Sequence, residues 1–253
     1  MKKILLAAIA AIALGGVANA EAVKIGIDTS PYPPFASPDP DGNWSGWEID
    51  IIHAVCKAAE LECVITPTAW DGMIPSLTGG QIDAIMASMS ITEERKKVID
   101  FSDKYYNTPT SLLVPKGSTL KPTPDALKGK AISAQVSTIQ EAYIKAHFPD
   151  SDLKTYQTVD EGFQDVAAGR VDASLADSIA IDGFLATDAG KACCENAGPV
   201  ADDPTILGAG VGVGLRKGDP LKEKFNAAIK KIREDGTYDA ITKKYFSSSI
   251  YGG

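Results

Sequence analysis

Hydrophobic and polar positions along this chain switch between two periods, in an order that occurs twice. Residues 23–28 (VKIGID) form a β-prone run that ends at the turn-forming Pro31, Pro33 and Pro34. Over 48–60 the apolar side chains of Ile51, Ile52, Val55, Ala58 and Ala59 share one helical face. The spacing then predicts a strand at 63–67, a short helix at 71–77 despite Pro75, and a strand at 82–87. A second series follows Lys128-Gly129-Lys130, with strands at 131–134, 153–156 and 171–176 and helices at 138–146 and 159–168. Two β-α-β-α-β series predict an α/β protein whose parallel sheets are wrapped by helices. The chain passes between the halves near 106–110, and again near 201–208, where Gly and Pro cluster. It ends with a glycine-rich β-like segment at 208–215 and amphipathic helices at 221–233 and 237–245.

The two series share sequence as well as order. The segment from Gly80 to Ser88 (GQIDAIMAS) returns 89 positions later (169 − 80) as GRVDASLAD, from Gly169 to Asp177. Upstream, Asp71 and Leu77 keep the offsets of Asp160 and Val166. Each copy reads as a helix, a glycine stop and a short buried strand ending in a polar side chain, Ser88 in one and Asp177 in the other. Ligands of open α/β sheets bind beyond the carboxyl ends of the strands. Ser88 and Asp177 therefore mark two half-sites facing each other across a cleft.

Before the first series, Lys2, Lys3, an apolar run at 4–14 and Ala18-Asn19-Ala20 make a secretory signal, with the mature chain starting at Glu21. Removing the two lysines takes the net charge from −8 to −8 − 2 = −10. Such an acidic protein is a poor partner for nucleic acid or an anionic membrane surface. A hydrophobic content of 44% with 23% charged residues is that of a folded chain, long enough for two modest lobes. In an oxidising compartment Cys56 and Cys63, at a helix end entering a strand, read as a disulfide. With His53 they would supply three metal ligands at most. Cys193 and Cys194 read either as a vicinal pair or as free thiols. Gly210-Val211-Gly212 lacks the third glycine of a dinucleotide fingerprint, and His53 and His147 lie far apart, so no cofactor, metal or His-based triad is expected.

The chemistry concentrates near the strand ends. Ser90-Ile91-Thr92-Glu93-Glu94-Arg95 follows the first repeat, and Ser90 with Glu93 fits a capping box. A helix N-terminus beside an arginine also suits a carboxylate, for which arginine offers two parallel donors. Asp177 is placed either to cap the next helix or to receive an ammonium group. Asp28 ends the first strand and is followed by Tyr32 in a proline-stiffened loop. With Trp70, Tyr32 offers aromatic faces for a flat or cationic side chain.

Ile25-Gly26-Ile27-Asp28, Tyr32-Pro33-Pro34-Phe35, Ile74-Pro75-Ser76-Leu77, Ile82-Asp83-Ala84-Ile85-Met86, the Ser90–Arg95 segment, Phe101-Ser102-Asp103, Gly236-Thr237-Tyr238 and Lys244-Tyr245-Phe246 together carry a resemblance. The chain resembles the periplasmic amino-acid-binding proteins of ABC importers (solute-binding family 3). It is most similar to the lysine/arginine/ornithine- and histidine-binding branch, with opine-binder features in Trp70-Asp71-Gly72. The resemblance implies a type II periplasmic binding protein: two α/β lobes, two hinge strands and a ligand cleft between them. Residues 1–20 would be the signal peptide, 21–107 and 208–253 the first lobe, and 108–207 the second lobe with the hinge segments. A periplasmic monomer would deliver a polar or basic amino acid to a membrane permease, with a chemoreceptor as a further docking partner. Cys56 and Cys63 fall where this branch has its disulfide. By position, Arg95 would clamp the α-carboxylate with Ser90 and backbone N–H groups near Thr138. Asp177 and Ser88 would hold the α-ammonium, and Asp28 would lie at the far end of the side chain, between Tyr32 and Trp70.

Three departures bear on the ligand. Ser137-Thr138-Ile139 replaces a glycine-serine-threonine turn, so Ile139 brings only its backbone N–H. Ala87 stands where a serine is common, and Gln135 where a leucine is frequent. The ligand stays open among arginine, lysine, ornithine, histidine, glutamine and an opine, with arginine favoured by Asp28 and Trp70. The rival reading is a cyclohexadienyl dehydratase-like enzyme on the same scaffold, with Glu48 or Glu141 as its acid. Neither residue is singled out by its surroundings in the sequence, and no catalytic residue is expected.

Overall fold

The computed structural model describes residues 21–252; the signal peptide expected at 1–20 lies outside them. The chain runs β1 (Val23–Asp28), a hairpin of β2 (Ser37–Pro38) and β3 (Trp44–Ser45), α1 (Trp47–Ala58) and β4 (Cys63–Thr68). A 3-10 turn at Trp70–Gly72 leads into α2 (Met73–Thr78), followed by β5 (Ala84–Ile85), α3 (Glu93–Lys96) and β6 (Asp100–Tyr106). Then come β7 (Thr110–Pro115), α4 (Pro124–Leu127), β8 (Ala131–Gln135), α5 (Ile139–His147), β9 (Asp152–Tyr156), α6 (Val159–Ala167) and β10 (Ala173–Asp177). The rest is α7 (Ser178–Leu185), α8 (Asp188–Cys193), β11 (Cys194–Pro199), α9 (Pro204–Leu207), β12 (Val211–Leu215), α10 (Leu221–Glu234) and α11 (Thr237–Tyr245). Pro75 sits in the first turn of α2, where a missing N–H breaks no helical bond.

Two five-stranded sheets have the same plan, β4-β1-β5-β12-β6 and β9-β8-β10-β7-β11. In each, the first three strands are parallel and the last two run antiparallel to their neighbours. The sheets are therefore mixed, whereas the β-α-β-α-β order alone predicts parallel ones. The antiparallel strands come from chain segments outside those series. The strand expected at 82–87 pairs only at Ala84–Ile85. Met86 still donates to the Gly26 carbonyl (3.0 Å), and the left-handed Ser88 (φ 58°) then turns the chain out of the sheet.

The sequence repeat is a repeat of hydrogen bonds. Gly80 and Gly169 adopt φ of 73° and 69°, where an L side chain is strained, and donate to Leu77 and Val166 carbonyls at 3.1 and 3.0 Å. Asp83 donates its N–H to the Lys24 carbonyl and accepts the Lys24 N–H at Oδ2 (3.0 Å). Asp172 makes the same reciprocal pair with Ala131 (Oδ2, 2.8 Å). Each aspartate thus fixes its strand beside the first strand of its own series, and the strand ends that follow are placed alike.

Each sheet is covered by helices. Around the first, Trp47, Ile51, Ile52 and Val55 of α1 pack with Phe225 and Ile229 of α10 and Tyr238 of α11. The buried indole of Trp47 donates to Thr242 Oγ1 at 3.1 Å, tying α1 to α11. Cys56 and Cys63 are joined by a disulfide between α1 and β4, and Cys193 and Cys194 are joined to each other. Around the second sheet, Leu112, Val114, Ile132 and Leu175 meet Tyr143 and Ile144 of α5. The chain crosses between sheets after β6 and returns before β12, and a cleft lies between the carboxyl ends of the parallel strands.

Candidate functional site

The cleft holds a narrow cavity, open in part to solvent. All of the residues named from sequence for ligand binding line it: Asp28, Tyr32, Trp70, Ala87, Ser88, Ser90, Arg95, Gln135, Thr138, Ile139 and Asp177. Ends of equivalent strands face each other. Asp28 closes β1 and Gln135 closes β8, and the Gln135 Nε2 donates to Asp28 Oδ2 at 3.4 Å. Ser88 and Asp177 follow β5 and end β10, 89 positions apart as in the repeat.

Arg95 supplies the positive end. It rises from α3, whose N-cap is Thr92; the Thr92 hydroxyl accepts the Arg95 N–H at 3.2 Å. This corrects the capping box expected at Ser90. That residue instead bridges to Val211 of β12, which holds it in extended backbone before the helix can start. The Ser90 carbonyl accepts from Arg95 Nη1 at 2.9 Å, and the Ser137 carbonyl, across the cleft, accepts from Nη2 at 3.2 Å. The guanidinium carbon lies 5.5 Å from the Trp70 ring centroid, within cation–π range. Desolvation in the cleft pulls the Arg95 pKa down to about 10, which leaves it charged at neutral pH. Beside it, α5 begins at Ile139 after the Thr138 N-cap, whose hydroxyl accepts from Glu141 N–H at 3.2 Å. The first N–H groups of a helix lack helical partners and attract an anion.

Asp177 supplies the negative end. It occupies the N-cap position of α7 yet makes no side-chain cap. Its carboxylate turns to the cavity, accepting from Tyr32 Oη at 2.9 Å (Oδ2) and Gln140 Nε2 at 2.8 Å (Oδ1). Burial pushes its pKa up to about 6, against the opposing pull of Tyr32, Gln140 and Arg95.

At the far end, Asp28 Oδ1 accepts the Ser30 N–H at 3.0 Å, and burial raises its carboxyl pKa. Gln135 also donates to the Gln157 carbonyl at 2.9 Å. Ser30, Gln140 and Val159 line the cavity as well, though sequence reasoning did not name them as site residues. Val159 carried a signal: it stands 89 positions after Trp70 (159 − 70), and the two face one cavity from opposite lobes. Gln140 carried none, being one polar residue in the first turn of α5.

The two acids weighed for an enzyme share a structural task. Glu48, on the cavity wall, accepts the Ser88 N–H at 2.8 Å, and Glu141 accepts the Ser137 N–H at 2.6 Å. Both serines are left-handed, with φ of 58° and 59°. That conformation costs an L residue about 1–2 kcal/mol, which a charged hydrogen bond offsets.

Residues 23–248 match the bacterial extracellular solute-binding proteins, family 3. The chain is 40% identical to the L-arginine-binding protein of Pseudomonas aeruginosa, over 100% of this chain and 99% of that one. It is 41% identical to the lysine/arginine/ornithine-binding periplasmic protein of Escherichia coli, over 100% of both. Among solved structures, an ancestral arginine-binding protein bound to arginine aligns with a TM-score of 0.81 at 33% identity, covering 89% of this chain and 98% of that one. A cleft between matched strand ends, with opposite charges on its two walls, accompanies this similarity over the whole length. The chain belongs to family 3 of the bacterial extracellular solute-binding proteins.

Proposed function

We propose that the cavity binds a free α-amino acid with a polar or basic side chain, and that the chain is the capture component of an ABC importer. One observation carries this reading: Arg95 and Asp177, of opposite charge, face the same cavity from opposite lobes. A carboxylate on Arg95 and the α5 N-terminus, with an ammonium on Asp177 and Ser88, describes the head group shared by all α-amino acids. Asp28, Tyr32, Trp70 and Gln135 surround the side chain, and the Asp28 carboxylate favours a cationic one, arginine first. The arginine- and lysine-binding relatives support that order. Micromolar affinity corresponds to about −8 kcal/mol, within reach of two charge-assisted anchors.

Residues 21–107 and 208–253 would move as one lobe and 108–207 as the other. A ligand touching both walls favours the closed arrangement, because only there are all its contacts made. The closed complex would dock on a membrane permease, and in a second role on a chemoreceptor, as a monomer exported to the periplasm by its leader. Binding rather than catalysis is the better reading because Glu48 and Glu141 are each committed to a serine N–H.

A thermal-shift screen over the amino acids and opines, followed by calorimetric titration, tests the proposal. Stabilisation is expected from arginine first and from lysine, ornithine or histidine next. If no α-amino acid stabilises the protein, the reading is wrong.

A further inference from the structure

Glu48 is the second residue of α1 and only 2% exposed, yet it lines the cavity. A buried carboxylate is expensive unless its oxygens are satisfied. Here Oε1 accepts from the Ser88 N–H (2.8 Å) and the Tyr105 hydroxyl, and Oε2 accepts from Ser88 Oγ (3.1 Å). Burial still pushes the Glu48 carboxyl above its ordinary pKa, with Tyr105 and Ser88 pulling it back. A glutamine would fill the same space without that desolvation. What distinguishes an ionised carboxylate is that it accepts and never donates.

That property fixes what Ser88 offers the cavity. With Glu48 ionised, the Ser88 N–H and hydroxyl both donate to it, and what remains for a ligand is lone pairs on Oγ and on the Ser88 carbonyl. Opposite stands Asp177, also an acceptor. A group wedged between these walls must donate to both. An ammonium does so, whereas a carboxylate or ether oxygen does not.

We propose that Glu48 is a positioning residue that orients the Ser88 hydroxyl, making Ser88 an acceptor-only wall for the ligand's α-ammonium. With glutamine at 48, the amide NH₂ donates to Ser88 Oγ and the hydroxyl proton swings into the cavity, where it opposes an ammonium. The inference rests on the α-amino acid reading and deepens it: selectivity for an amine over a hydroxyl or oxo group is set from behind the cavity wall.

Calorimetric titration of L-arginine into the wild type, Glu48→Gln, Ser88→Ala and the double variant tests this, with thermal melting as the fold control. Glu48→Gln is expected to weaken binding by about tenfold or more, and most of that loss should vanish in the Ser88→Ala background. Glu48→Asp, which keeps an acceptor-only group, should bind more tightly than Glu48→Gln. If the glutamine variant does not fold, Glu48→Asp carries the test against the wild type, with affinity within about threefold expected and a loss of about tenfold or more overturning the proposal. Unchanged affinity in Glu48→Gln, the same loss with and without the Ser88 hydroxyl, or equal losses for Asp and Gln would each overturn the proposal. Absence of binding by the wild type to any α-amino acid removes the underlying reading as well, so the two failures are told apart.

Discussion

The Tyr32 hydroxyl donates to Asp177 Oδ2 over 2.9 Å, linking the loop after β1 to the end of β10 across the cleft. Arg95 to the Ser137 carbonyl and Gln135 to Asp28 also link the two sides. These links draw the lobes together around the groups that a ligand needs.

Asp177 is costly to the empty protein. Its pKa near 6 lies above its ordinary 3.8, so the folded state holds a proton that the unfolded chain releases between those values. This group's contribution to stability is therefore present below about pH 4 and lost as pH rises through about 6. Asp177→Asn should stabilise the empty protein by about 1–3 kcal/mol at neutral pH and abolish its response to amino acids. The stability difference between the two proteins should disappear below about pH 4. Wild-type ligand affinity should fall below about pH 6, by up to about tenfold per unit. Urea titrations and calorimetry across pH check both.

Arg95 and Asp28 should separate head-group from side-chain recognition. Arg95→Ala is expected to weaken every ligand by about a hundredfold or more. Asp28→Ala should weaken arginine and lysine by about tenfold while changing glutamine by less than about threefold. Equal losses across the ligands for Asp28→Ala would remove it from the side-chain end.

Closure itself can be obstructed at Gly183. This residue lies in α7, and a Cβ added there would stand 3.0 Å from the Pro33 carbonyl oxygen, on the opposite side of the cleft. Gly183→Val should lower ligand affinity by about tenfold and change the stability of the empty protein by no more than about 0.5 kcal/mol. Small-angle scattering should show a smaller ligand-induced contraction than in the wild type.

The Trp47–Thr242 bond tests the first lobe's core. Thr242→Val keeps the shape but leaves the buried indole N–H without its acceptor, a loss of about 1–3 kcal/mol. Chemical denaturation should show that loss with arginine affinity unchanged.

Much of this was legible in the chain. The helix over Thr237–Tyr245 has the bounds its periodicity predicts, and α1, α5 and α6 lie within two residues of theirs. The residues named for the cavity all reach it, because a strand end is a local feature and the repeat marks two of them. The strands β6, β7 and β11 did not announce themselves. Leu112, Leu113 and Val114 form an apolar run buried on both faces, which lacks the alternation that marks a half-buried strand.

The sequence by itself determined two β-α-β-α-β series, the repeat that equates Ser88 with Asp177, and the opposite charges beyond the strand ends. Those are consequences of short-range periodicity and residue chemistry. Only the tertiary structure decided that the sheets are mixed, that Gln140 braces Asp177, and that Glu48 stands behind Ser88. Each of those relationships joins residues dozens of positions apart. They depend on how helices pack on sheets and on which buried donors find acceptors, and no local pattern in the chain records either.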